Sequence, residues 1–417
     1  MTGNSRQGFL IRSLNETEKL IPVSGKERIV TLDIIRGFAL LGILLVNMPL
    51  FMAPMLYVYP AETQWWTKTS DILADYFITI FAEGKFYTIF SFLFGYGFYI
   101  FMERAREKGR PVVKLYGRRI LVLLFFGIMH ITLLWWGDIL HFYAVIGLFL
   151  LLFRNKTEKT LLIWSMMLII IPIVIIGGFV ALAAAVNGED IAGYDFAQYL
   201  EEQVQTSLQV YSQGSFIEIL RQRLSDFSFV AETMYVMAPQ VLAMFLLGTY
   251  AARRRLIQDV DVNKLFLRKI WLWGLVVGIP FVFLQVTGKY NLLGLSFMAS
   301  QFYYMAGTFI SGVAICFFYM TTIIFLLQKP DMFKILAPLG DVGRMALTNY
   351  LLQSIIATTI FYSYGLGLFG RVGPAWGIVL TLLIFMLQVY FSRYWMKKYH
   401  FGPLEWLWRT LTYGKLG

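Results

Sequence analysis

The segment Trp135-Trp136-Gly137-Asp138-Ile139-Leu140-His141 sets a carboxylate three residues before an imidazole. At that spacing the two side chains can meet on one helical face. A carboxylate that orients an imidazole is a general-base arrangement. His130 precedes the bend by about two helical turns, so His130, Asp138 and His141 can converge. The same residues also suit an N-cap at Asp138 with two interfacial histidines beside it. The chain has three histidines and one cysteine, Cys316, which lies in an apolar run. No intrachain disulfide can form, and so few scattered ligands argue against a metal site. The sequence contains no HExxH, CxxC, Walker A loop or GxSxG elbow.

Other polar residues interrupt apolar runs, where charge is costly and function is the first explanation to weigh. Asp33, Arg36 and Asn47 project within about 60° of one another on an ideal helix, and Gly37 beside them permits close approach of a backbone or ligand. An interfacial ion pair that fixes helix depth would use the same residues. In Gly340-Asp341-Val342-Gly343-Arg344-Met345-Ala346-Leu347-Thr348-Asn349-Tyr350, Arg344 and Thr348 share one helical face, and Asn349 and Gln353 share another. Gly340 and Gly343 near a helix start could admit a phosphate to backbone N–H groups, and Arg344 could equally anchor the helix at the cytoplasmic surface. Lys85, in Glu83-Gly84-Lys85-Phe86, is either a buried functional cation or a lysine that snorkels to the surface.

These residues need apolar helices to hold them, and the composition supplies such helices. The chain of 417 residues is 58% hydrophobic and 15% charged, well below the charge of soluble domains. That pattern implies an all-α polytopic transmembrane bundle of about ten spans. The spans start near Asp33, Phe86, Arg118, Ile139, Thr160, Thr233, Ile270, Gln301, Gly343 and Ala375. Arginine and lysine alternate across them, with Arg104, Arg106, Lys108 and Arg110, then Arg154, Lys156 and Lys159, then Arg253, Arg254 and Arg255, then Lys397 and Lys398 in the segments placed inside. Both termini are therefore expected in the cytoplasm. The net charge of +11 is explained by this orientation and by the membrane surface, not by nucleic acid. The first run is long enough to span, so it reads as a retained anchor and not as a cleaved signal peptide.

Residues 1–30 read as a cytoplasmic N-terminal segment and 31–399 as the transmembrane domain. Within the latter, 187–231 forms an extracytoplasmic loop with helical runs Phe196–Val210 and Phe216–Phe227. Ile72–Ala82 is too short to span and reads as a surface or re-entrant helix. Residues 400–417 read as an interfacial tail, with Trp406 and Trp408 at the membrane surface and Glu405 one turn from Arg409. No internal repeat is evident, which counts against a transporter built from inverted halves.

Four ordered motifs carry a family resemblance across nearly the whole chain: RIVTLDIIRGFALLGILLVNMPLF, WWGDILHFYAVIGL, GRMALTNYLLQS and FGPLEWLWRTLTYG. Together they resemble the YeiB-like family of bacterial multi-span proteins, a domain of unknown function. More distantly, LDxxRG followed by Asn47 is similar to the first span of heparan-α-glucosaminide N-acetyltransferase-like proteins and of the acyltransferase-3 family. Asp33, Arg36 and Gly37 match that shared motif position by position. The departures are specific. Acyltransferase-3 proteins carry a histidine where this chain has Asn47. The acetyltransferase-like proteins place one soon after the first span, whereas no histidine precedes His130 here.

The resemblance implies acyl transfer from cytoplasmic acyl-coenzyme A, as donor substrate, to a glycan or lipid of the cell envelope, in the cytoplasmic membrane of a bacterium. Arg36 and Arg344 would hold donor phosphates. Asn47 would donate to the thioester oxygen, and His141 oriented by Asp138 would deprotonate the acceptor. Lys85, Thr348, Asn349 and Gln353 complete the expected substrate-binding set. A non-enzymatic exporter of a lipid or small amphiphile is the alternative. Membrane lipids are partners in either case, and a homo-oligomer is compatible with both. The alternating charge predicts that a labelling reporter at Gly193 is reached from outside and one at Lys108 from inside; labelling of both from one side would break the ten-span topology.

Overall fold

The computed structural model describes residues 29–54, 66–187 and 194–414. Most of the N-terminal segment and part of the 187–231 loop therefore lie outside the described residues. The described residues form fourteen helices and no strand: α1 (Val30–Met52), α2 (Thr69–Phe81), α3 (Phe86–Glu107), α4 (Val112–Leu133), α5 (Leu140–Phe153), α6 (Glu158–Asn187), α7 (Tyr194–Gln213), α8 (Phe216–Arg253), α9 (Val260–Lys289), α10 (Phe297–Leu326), α11 (Pro330–Arg344), α12 (Ala346–Phe361), α13 (Pro374–Lys398) and α14 (Pro403–Tyr413). Helices satisfy every backbone group within one segment, which a lipid surround demands. The chain is a polytopic helical membrane protein, and each of the ten expected apolar runs is helical.

Seven stretches are long and apolar enough to cross a membrane: α1, α2 with α3, α6, the second half of α8, α9, α10 and α13. Helix α4 has the length but carries Lys114, Arg118 and Arg119 in its first half. Helices α5 and α12 have only 14 and 16 residues. At 1.5 Å per residue they rise about 21 and 24 Å, less than a hydrocarbon core of about 30 Å. The α4–α5 turn, expected at the outer surface, is consequently buried in the bundle: Trp135, Trp136 and Asp138 are all sealed from solvent. Helices α7 and α8 bring Tyr211, Arg223 and Phe227 to this part of the bundle.

Many of the basic residues gather at one end, apart from Lys85, Lys289, Arg223 and Arg371. Arg253 donates to the carbonyl oxygens of Arg154 and Lys156, Arg344 donates to that of His400, and the Arg119 guanidinium lies 4.0 Å from the Trp408 ring centroid. The C-terminal tail, expected at the interface, is thus docked on α4 and α12.

Glycines set the closest helix contacts. A Cβ on Gly37 would overlap the Leu339 carbonyl, and one on Gly343 the Asp33 carbonyl, so α1 and α11 touch backbone to backbone. Gly248 meets the Phe92 carbonyl in the same way between α8 and α3. Small residues at such crossings replace the hydrophobic driving force that lipid removes. Gly84 has φ +85°, a conformation that glycine adopts without a Cβ clash, and it turns α2 into α3.

The region read as a loop helix followed by a separate span is one continuous helix, α8, started by a capping box between Ser215 and Glu218. On its segment before the span, Asp226 accepts from Gln222 at 2.9 Å and from Tyr211 of α7 at 2.5 Å. Burial outweighs these hydrogen bonds and pushes the Asp226 carboxyl up to about 6.

Two outcomes follow from this packing. Because the folded pKa of Asp226 is raised, its favourable contribution is full below about pH 4 and is lost as pH rises through about 6. Protection factors of residues 201–230, in which the intrinsic pH dependence of amide exchange is divided out, should be lower at pH 8 than at pH 5, and Asp226→Asn should remove the difference; an equal loss of protection in the variant would refute the assignment. Gly248→Val should lower stability by about 1–3 kcal/mol through overpacking, measured as a drop in thermal midpoint in detergent.

Candidate functional site

Helix α4 ends when the His130 carbonyl accepts from the N–H groups of both Leu134 and Trp135, and the chain then folds back into α5. Gly127 makes this hairpin tight, since a Cβ there would overlap the His141 backbone. The bend places Asp138 between two imidazoles. Its Oδ1 lies 2.9 Å from His130 Nδ1, and its Oδ2 lies 2.8 Å from His141 Nδ1. The His141 backbone N–H also donates to Oδ2 at 2.7 Å, so Asp138 caps the start of α5 while it orients the rings. The N-cap position itself is Ile139, one residue later than the sequence suggested, and His130 is buried and not interfacial. All three expected residues, His130, Asp138 and His141, converge.

A fourth group joins them. His130 Nε2 lies 2.8 Å from Ser354 Oγ. One turn earlier on α12, Tyr350 packs its ring 5.1 Å from that of His130 and donates to the Gly137 carbonyl. Ser354 was not singled out in the sequence, because a helical serine ordinarily bonds its own backbone and attracts no attention. The available signal was its place at the end of GRMALTNYLLQS, four residues after Tyr350. His130, Asp138 and Ser354 are all buried, whereas the His141 side chain keeps 12% of its surface exposed.

The remaining expected residues fall into separate groups. Arg36 pairs with Asp33 at 2.8 Å. Asn47 is half-buried about 16 Å further along α1. Gly340 and Gly343 face α1, and at Gly343 a phosphate could not reach the backbone because the Asp33 carbonyl occupies that space. Arg344 and Thr348 do not share a continuous helical face, because the helix breaks at Met345 between α11 and α12. Arg344 lies 3.5 Å from Asp341. Thr348 and the N–H groups of Leu347 and Thr348 donate to Glu405. Glu405 thereby caps α12, a partnership beyond the Arg409 spacing expected from sequence, and burial raises its carboxyl despite those hydrogen bonds. Asn349 donates to Ser392 at 2.9 Å and Gln353 to Gln388 at 2.9 Å, a buried polar ladder between α12 and α13.

Lys85 does not snorkel. It is fully buried and donates to the Thr79 carbonyl and to Gln285 Oε1 at 2.9 and 2.7 Å. Beside it Lys289 bridges Glu83 at 3.1 Å and Asp75 at 3.3 Å, Tyr304 donates to Glu83, and Tyr290 donates to Asp75 at 2.7 Å. Two lysines and two carboxylates thus offset one another around the α2–α3 break. The four-residue spacing of Asp75 and Thr79 on α2, continued by Glu83 in the turn that follows, could have disclosed this cluster in advance.

Comparison with known proteins places the chain in a family. Residues 251–415 match the family model described as a protein of unknown function, DUF418. The chain is 37% identical to the uncharacterized protein YxaH of Bacillus subtilis strain 168, over 94% of this chain and 96% of that one. It is 31% identical to an uncharacterized 39.9 kDa protein from the amylase 3′ region of Bacillus acidopullulyticus, with 94% and 96% covered. It is 27% identical to the uncharacterized protein YeiB of Escherichia coli K12, with 93% and 96% covered. No solved structure matches it. Similarity of this extent along the whole chain, joined to the matched C-terminal region, shows that the protein belongs to the YeiB-like DUF418 family.

Proposed function

We propose that the protein is an acyltransferase of a bacterial cytoplasmic membrane. It would take an acyl group from acyl-coenzyme A at the basic end and deliver it to a hydroxyl or amine of an envelope molecule from the opposite end. The observation that supports this reading is the Asp138 carboxylate shared by two imidazoles. An ionised carboxylate only accepts hydrogen bonds, so both Nδ1 atoms donate, and in neutral imidazoles both Nε2 atoms then present lone pairs. The His141 Nε2 has no hydrogen-bond partner among the described residues and belongs to the less buried ring. It is a base with a fixed tautomer and a free face toward an acceptor.

Two surfaces suit the substrates. An apolar groove of about 190 Å³ runs between α1, α10 and α11, lined by Phe38, Tyr319 and Leu339 among others. It has the chemistry to receive an acyl chain while Arg36, Arg119 and Arg344 attract donor phosphates. Elsewhere an open polar groove of about 430 Å³ is lined by Gln205, Gln209, Ser212, Gln213 and Arg371, side chains able to bond sugar hydroxyls.

The second reading, an exporter of a lipid or small amphiphile, draws on the charged break between α2 and α3, because interrupted helices commonly hold transported ions and substrates. One experiment separates the two. Purified protein in lipid nanodiscs is given acetyl- or palmitoyl-coenzyme A with envelope glycans and lipids, and release of the free thiol is followed. Transfer should depend on Asp138 and His141, with Asp138→Asn and His141→Gln each reducing it by on the order of 10²–10⁴. Absence of transfer with every donor, together with amphiphile flux in vesicles that Lys289→Met abolishes, would establish the exporter instead.

A further inference from the structure

Ser354 has no part in direct transfer from donor to acceptor, yet it is built into the site. Its Oγ faces the Nε2 of an imidazole whose Nδ1 is held by a buried carboxylate, at 2.8 and 2.9 Å. Nucleophile, base and orienting acid follow one another within hydrogen-bond reach, the relation that activates a serine hydroxyl. We propose that Ser354 is a covalent acyl carrier, and that the protein works by double displacement. This inference rests on the acyltransferase reading above and deepens it.

Position favours such a carrier. Helix α12 begins at the basic end, where Glu405 caps it beside Arg344. Ser354 stands about 12 Å along that helix, within the reach of an extended pantetheine arm whose phosphates stay at the arginines. The polar ladder of Asn349, Gln353, Gln388 and Ser392 occupies the same stretch, and Asn349 Oδ1 is buried there without a hydrogen-bond partner. His141 offers its free Nε2 on the other side of the shared carboxylate. A serine at this depth divides the distance across the membrane into two shorter transfers.

In the first step His130 Nε2 takes the Ser354 proton, Oγ bonds to the thioester carbonyl carbon, and the C–S bond breaks. The proton passes from His130 to the departing thiolate, which leaves as coenzyme A thiol. In the second step His130 takes over the base role given above to His141, which instead orients the acceptor through its Nε2: an acceptor hydroxyl gives its proton to His130 Nε2, its oxygen bonds to the ester carbon, and the bond to Ser354 Oγ breaks. The serine recovers its proton from His130, so the enzyme is restored with no further reactant.

The test uses the full-length protein in nanodiscs with radiolabelled acetyl-coenzyme A and no acceptor, and in parallel a long-chain alkyl fluorophosphonate. The expected result is a single acetyl ester on the peptide bearing Ser354, reduced more than tenfold by His130→Gln and absent in Ser354→Ala. Ser354→Cys should hold the acetyl group as a thioester cleaved by neutral hydroxylamine, a signature that a purely structural serine cannot give. Acceptor transfer retained within twofold in Ser354→Ala, with no adduct in the wild type, overturns the carrier and leaves acyl transfer standing as a single displacement. Fluorophosphonate labelling of Ser354 that requires His130, without acylation by any acyl-coenzyme A tried, supports the serine nucleophile and defeats the acyl-coenzyme A reading. Absence of both adducts overturns the carrier.

Discussion

A carboxylate sealed inside a helical bundle loses its water and must be met by donors. Asp138 meets that condition with two imidazole N–H groups and one backbone N–H, and much of the surrounding structure follows from it. The α4–α5 hairpin has to be tight enough for rings from both helices to reach one carboxylate, which Gly127 permits. Helix α5 has to start inside the bundle, which its 14 residues allow. The Phe51 ring covers Trp135 at 4.0 Å, and Phe227 closes over His141 at 5.1 Å. Arg223 donates to the Thr132 carbonyl near the end of α4, where a cation also complements the helix dipole.

The protein therefore holds two buried polar centres of different character. Around Lys289 and Lys85 cations and anions match, and the lysines bond to side chains and backbone on both sides of a helix break. Such a centre fixes geometry. Around Asp138 the side-chain partners among the described residues are two imidazoles, one of which meets a serine hydroxyl, groups that can pass a proton to one another. A similar degree of burial thus yields a brace in one place and a site capable of proton transfer in the other.

Much of this was legible in the sequence because it is local. The ten apolar runs are helices because their composition leaves a lipid-exposed backbone no other way to bond itself. Asp138 and His141 meet because three residues make a helical turn. The failures have a common cause, contacts between segments far apart in the chain. The pairing of Lys289 with Glu83, or His130 with Ser354, depends on which helices become neighbours, and periodicity does not report that. Gly340 and Gly343 suggested a phosphate loop because glycine signals close approach without naming what approaches; here it is the backbone of α1. The turn between α4 and α5 was expected at the outer surface, yet Trp135 and Asp138 are buried, because hydropathy measures apolar length and not how deeply a turn is packed.

The cap on α12 orders events in time. Helix α12 carries Ser354, yet the carboxylate that satisfies its first backbone N–H groups comes from Glu405, in a helix the ribosome makes later. Until that segment emerges, α12 begins with its leading amides unsatisfied near the membrane surface, and its register against α13 lacks a fixed start. The two histidines and Asp138 are already synthesised by then. The start of α12, and with it the register that faces Ser354 to His130, is therefore completed by a segment that follows it in the chain.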